Sequence, residues 1–138
     1  TIIKKRYIDE VSKNKLLAYI VRNIAQINGQ KFFSETEDFL QVGVMGLSKD
    51  TELKPHYHLP QYKTIDKNQE VLIILSGKIE VTFFDIDSNE KVDSKIVDGG
   101  CILVLIDGGH GFRMLEDTQL VEVKQGPYEG QSMDKSYF

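Results

Sequence analysis

The chain reads as an all-β domain, either a sandwich or a small barrel. Three observations predict this. Short strand-like segments follow one another between glycine-containing turns, roughly every eight to twelve residues. Within residues 78–85, Ile79, Val81 and Phe83 share one parity while Lys78, Glu80 and Thr82 share the other. That period of two belongs to a half-buried strand. The middle of the chain contains no convincing helix of ten residues.

The elements follow in order. Lys4-Lys5-Arg6 is a solvated basic start, and residues 8–16 are polar and turn-like. Residues 17–22 are apolar, but the stretch is too short to decide between a helical turn and a strand. Asn28-Gly29 marks a turn. Residues 39–47 read as a strand with Leu40, Val42 and Val44 on one parity. Strands are then expected over 53–58, 70–75, 78–85, 91–97, 101–106, 110–114 and 119–124. Ser76-Gly77, Asp87-Ser88-Asn89, Asp98-Gly99-Gly100 and Asp107-Gly108-Gly109 are the turns among them. Beyond Gly126 the periodicity is lost, leaving a tail that Tyr128, Tyr137 and Phe138 could anchor. Neither a linker nor a second domain is visible, so residues 1–138 read as one domain with a core over about 38–125.

At 138 residues the chain can bury a real core without cross-links. Its apolar fraction of 41% and charged fraction of 28% are ordinary for a globular protein. A net charge of -4 and scattered positive charges argue against nucleic acid or an anionic membrane as partner. A single cysteine excludes an intramolecular disulfide. Cys101 opens an apolar run and reads as a buried, inert thiol rather than a nucleophile. No run approaches bilayer-spanning length and no secretory signal is visible, so the expected location is the cytoplasm.

All three histidines fall into one candidate constellation with a glutamate: His56, His58, Glu70 and His110. Positions i and i+2 of a strand share a face, so His56 and His58 could close around one ion. Glu70 shares the parity of Leu72 and Ile74. If those face the interior, so does its carboxylate, and a buried charge needs a partner. Three imidazoles and a carboxylate suit a divalent transition metal: Fe, Mn, Ni, Zn or Co. Such a site would keep an open position, unlike a closed, cysteine-rich structural zinc.

These residues resemble the cupin superfamily. Its first motif, a His-x-His followed by Glu and then Gly, is matched by His56, His58, Glu70 and Gly77. The family has only a few residues between the second His and the Glu, whereas this chain has eleven. In the second motif Gly99 and His110 match, while Leu105, Asp107 and Met114 replace the expected Pro, Gly and Asn. The likeness spans about residues 38–125. Segments such as Lys54-Pro55-His56-Tyr57-His58 and Gly108-Gly109-His110-Gly111-Phe112 are similar to small single-domain bacterial cupins. Those tend to accompany genes for surface polysaccharide or modified sugars.

The resemblance implies a closed jelly-roll barrel with metal ligands at its open end and, in many members, a homodimer formed through edge or exchanged terminal strands. It also implies a metal-binding cupin enzyme on a small polar substrate such as a sugar or sugar nucleotide, with isomerase- or epimerase-like chemistry. The alternatives are a non-catalytic or sensory ligand-binding cupin and an iron-dependent dioxygenase. Sugar isomerisation needs an acid or base near the metal. Tyr62, Lys63, Glu122 and Lys124 are the candidates; Tyr57 has the opposite parity to its histidine neighbours. Tyr62 and Lys63 lie in the long insertion, placed to cover the barrel mouth. Glu122 and Lys124 alternate with Val121 and Val123, so either the charges face water or they enter the pocket. Arg113 and Gln69 have the wrong parity for pocket residues.

Overall fold

Alternation and turn chemistry build most of the architecture. The computed structural model describes residues 7–138, so Lys4-Lys5-Arg6 lies outside the described residues. The strands are β1 (Ile8–Lys13), β2 (Lys15–Val21), β3 (Gly29–Phe32), β4 (Gly43–Gly46), β5 (Glu70–Ser76), β6 (Lys78–Phe84), β7 (Lys91–Asp98), β8 (Cys101–Leu105), β9 (Gly109–Met114) and β10 (Gln119–Lys124). A 3-10 turn covers Ile24–Gln26 and a single helical turn covers Gln131–Asp134.

Residues 8–16 are not a turn region. They make a β-hairpin whose corner is Asn14, held in the left-handed region at φ 64°. The polar sequence of β1 is explained by its position: it is an edge strand in which Val11 alone is fully buried. Residues 17–22 resolve as strand, not helix. The expected strand at 39–47 shortens to Gly43–Gly46, and the one at 53–58 does not form. At the β5–β6 corner Gly77 has φ 94°, and a Cβ there would stand 2.4 Å from the Asp117 carbonyl oxygen. Only glycine fits that corner.

The strands lie in three separate antiparallel sheets: β1-β2-β8-β5-β10, β7-β6-β9 and the ribbon β3-β4. This corrects the expected barrel. A closed jelly roll requires ladder hydrogen bonds all the way round. Here β9 is laddered to β6 alone and β10 to β5 alone, among the described residues, so the sheets stay open. The all-β composition holds; the cupin-type closure does not.

β8 shows how parity sorts the interior. Its apolar run is buried on both faces, as expected of a central strand. Cys101, Leu103 and Leu105 enter a core shared with Leu72, Ile74, Ile79, Val81, Phe83 and Val97, between the five- and three-stranded sheets. Ile102 and Val104 enter a second core with Tyr19, Val21 and Val71, capped by Ile27, Phe33 and Val42 from the segment around the ribbon. Each such side chain contributes about 1.5–3 kcal/mol when fully buried. The five-stranded sheet is thus the middle of three layers.

One buried polar residue ties the cap to the sheet. Gln69, just before β5, is 2% exposed. Its Oε1 accepts the Leu40 N–H at 3.1 Å, and its own N–H donates to Gln125 Oε1 at 3.2 Å. Residues 47–68, by contrast, are exposed throughout. No helix among the described residues is long and apolar enough to cross a membrane.

Candidate functional site

The site follows from strand register. Glu70 stands opposite Leu105 of β8 on one side and Lys124 of β10 on the other. Residues opposite one another on a ladder point to the same face. Leu105 belongs to the inter-sheet core, so Glu70 and Lys124 face the inter-sheet space. Glu122, opposite the core residue Leu72, shares that face. The charges of β10 therefore turn to the inner side at an open edge, and Val121 and Val123 turn outward to solvent. On the other sheet His110 stands opposite Phe83 and Phe112 opposite Val81, both buried core residues. His110 and Phe112 therefore share that sheet's inner face.

Across the gap, His110 Nε2 lies 3.4 Å from Glu70 Oε2. The contact is close in distance but poorly directed. Oε2 is buried and accepts no hydrogen bond from the described residues. Burial, and then the neighbouring Glu122 carboxyl, push the Glu70 pKa up, while Lys124 and Lys135 pull it back. Burial pushes the His110 imidazole down, against the attraction of Glu122. Both shifts favour the neutral form.

The pair sits on the wall of a cleft of about 740 Å³. Asn68, Asn89, Phe112 and the tail residues Asp134, Lys135 and Phe138 also line it. Phe138 stacks on Phe84 with ring centres 4.9 Å apart. Gly109 leaves room for this ring, because a Cβ there would stand 2.3 Å from it. Asp134 receives Lys124 Nζ at 3.2 Å, which pins the helical turn over β10. Sequence reasoning named Phe138 among the residues that could anchor the tail and missed Asn68, Asn89, Phe112 and Asp134 as cleft residues. The parity Phe112 shares with His110 was a usable signal; Asp134 offered none.

The remaining predicted site residues lie elsewhere. His56 and His58 are on the exposed 47–68 segment, where their rings meet edge to face at 5.4 Å and His56 Nδ1 lies 2.8 Å from the Lys54 carbonyl oxygen. Tyr62 and Lys63 are on the same segment, both exposed and Tyr62 fully so. Arg113 points away from the cleft and reaches Glu80, with Nε–Oε1 at 3.9 Å. The Cys101 thiol is buried beside Asp98, and burial raises its pKa.

The four expected metal ligands thus separate into two pairs, His56 with His58 and Glu70 with His110. Among the described residues no group of three or more His, Cys, Asp or Glu side chains is placed to hold a metal ion. The four residues therefore do not come together as one centre of the kind expected for Fe, Mn, Ni, Zn or Co. The physical reason is the failed strand at 53–58: without a ladder, nothing carries His56 and His58 to the cleft. The reading as a metal-binding cupin, whether sugar isomerase, dioxygenase or sensor, is therefore set aside, and with it the surface-polysaccharide setting. No protein-family model, curated protein or solved structure matches the chain.

Proposed function

We propose that this protein binds a small organic amine in the cleft at the edge of the two sheets. The observation that carries this reading is Glu70 Oε2, a buried carboxyl oxygen on the cleft wall with no hydrogen bond from the described residues; a bound cation beside it would favour its ionised form against the burial that raises its pKa. A buried acceptor left unmade costs about 1–3 kcal/mol, which a ligand's donor recovers on binding. An ammonium suits the site better than an anion. The neighbouring Glu122 carboxyl adds negative potential beside Glu70, and Lys124 is taken up by Asp134. Phe112 and Phe138 supply aromatic faces for the ligand body and its charge. The volume is within the usual range for small-molecule sites, about 300–1,000 Å³. His110, favoured as neutral imidazole, offers one donor and one acceptor beside the amine. The single, unpaired Cys101 is in keeping with a reducing cytoplasmic setting.

Benzylamine, benzyl alcohol and benzoate test the charge preference with one ring. Benzylamine should perturb the His110 resonances and raise the melting temperature; benzoate should do neither. Glu70→Gln should abolish the benzylamine effect. Benzoate binding as well as benzylamine, or benzylamine binding unchanged in Glu70→Gln, would refute the reading.

A further inference from the structure

The segment 47–68 is hard to reconcile with a chain that acts alone. Twenty-two consecutive residues are exposed, and loops beyond about 12–15 residues without structure of their own are uncommon in compact domains. Its composition is not that of a disordered linker. Leu53, Tyr57, Leu59, Tyr62 and Ile65 are all exposed, Tyr57 by 83%. Among the described residues, 57–66 make no hydrogen bond or ion pair.

A complementary surface exists at the β10 edge. β10 is laddered on one side only, to β5. On the outward face of that edge Leu75, Val121 and Val123 are 56%, 43% and 47% exposed. The charges also match. The middle of the arm, 53–65, carries Lys54, Lys63, His56 and His58 and no carboxylate, between Glu52 and Asp66. The β9–β10 connection at that edge carries Glu116, which also meets Lys78 at 3.7 Å, and Asp117.

We propose that this arm docks on the β10 edge of a second copy of the chain, giving a two-fold dimer in which each copy gives its arm and receives its partner's. The exposed arm together with Leu75, Val121 and Val123 amounts to about 25 residues a side, and a standard stable interface uses about 20–30. A two-fold axis repeats the arm–edge contact twice. Pro55 and Pro60 lack an N–H and limit any added ladder to about four residues between them. Side-chain packing of Tyr57, Leu59 and Tyr62 against the valine face supplies the rest. Such an arrangement covers the open edge, which otherwise invites indiscriminate pairing.

Sedimentation of the full chain at micromolar concentration should show a dimer. An arm variant, Leu59→Asp with Tyr62→Asp, and an edge variant, Val121→Asp with Val123→Asp, should each raise the dimer dissociation constant at least about 30-fold. Circular dichroism checks that both remain folded. Mixing the two variants is the decisive step. Each homodimer then has two damaged contacts, but the heterodimer keeps one intact arm–edge contact. The mixture should associate more tightly than either variant alone. A monomeric parent chain, a dimer that withstands the arm substitutions, or a mixture no tighter than its components would overturn the proposal. The last outcome would instead indicate an arm folded back on its own chain.

Discussion

Replacing Gln69 by Leu tests how the cap and the cleft are joined. Gln69 is buried, and its Oε1 is the acceptor for the Leu40 N–H at 3.1 Å. Leucine keeps an apolar body of similar size and removes that acceptor. The Leu40 N–H then has no side-chain partner in a half-buried position. Leaving such a group unmade costs about 1–3 kcal/mol. The Gln69 N–H bond to Gln125 uses backbone and is untouched by the change. For a domain of this length, 1 kcal/mol moves the melting temperature by roughly 3–5 °C. The expected fall is therefore about 3–15 °C, read by circular dichroism, with the urea midpoint as an independent measure. Hydrogen exchange adds a positional readout: the Leu40 amide should lose protection more than amides of β6. A melting temperature unchanged within about 1 °C, a small fraction of that span, would refute the claim that this hydrogen bond fastens the cap.

Two further outcomes follow from the same geometry. Phe83, 1% exposed beneath His110, should cost about 3–5 kcal/mol when changed to Ala, measured by urea unfolding; a loss below about 1 kcal/mol would place the inter-sheet core elsewhere. Glu70→Gln should change the pH dependence of stability. With a raised folded-state pKa, Glu70 contributes stability fully below its ordinary value of 4.5, and that contribution is lost as pH rises through the folded value. The gain in urea midpoint of Glu70→Gln over the parent should therefore grow from acid to neutral pH, and a gain that shrinks over that range contradicts the burial of this carboxyl. His110 runs the other way: its lowered pKa contributes stability above 6.5 that is lost as pH falls through the folded value.

What was legible in the sequence was local. Alternation along 78–85 and 119–124, the doubly apolar run at 101–106 and the glycine corners place β6, β10, β8 and their turns within a residue or two. β1 was not legible, because an edge strand that buries little beyond Val11 has no apolar alternation to read. The 53–58 segment misled in the opposite sense. His56 and His58 have strand-like spacing, yet Pro55 and Pro60 interrupt any ladder and the segment buries nothing within its own chain. Closure was also beyond reach. Whether β9 and β10 find partners on their free sides depends on sheet edges far apart in sequence, which alternation does not encode. The site divides along the same line. Glu70 and His110 meet because each shares its strand's core-facing parity, whereas His56 and His58 belong to a segment with no strand to orient it.

The central position of β8 has a consequence for synthesis. β2 ladders to β8, with Ala18 opposite Leu105, a separation of 87 positions from 105 minus 18. Until Leu105 leaves the ribosome, β2 can pair only with β1, and Tyr19 and Val21 lack the layer they pack against. The free edge of β2 must therefore wait while the β6–β7 hairpin forms locally behind it. Such non-local pairing slows folding, because the loop is closed before its contacts reward the closure. β8 thus meets two neighbours that are already made, β2 and β5, and its arrival joins the N-terminal hairpin to the rest of the sheet; β5 gains its second neighbour only with β10.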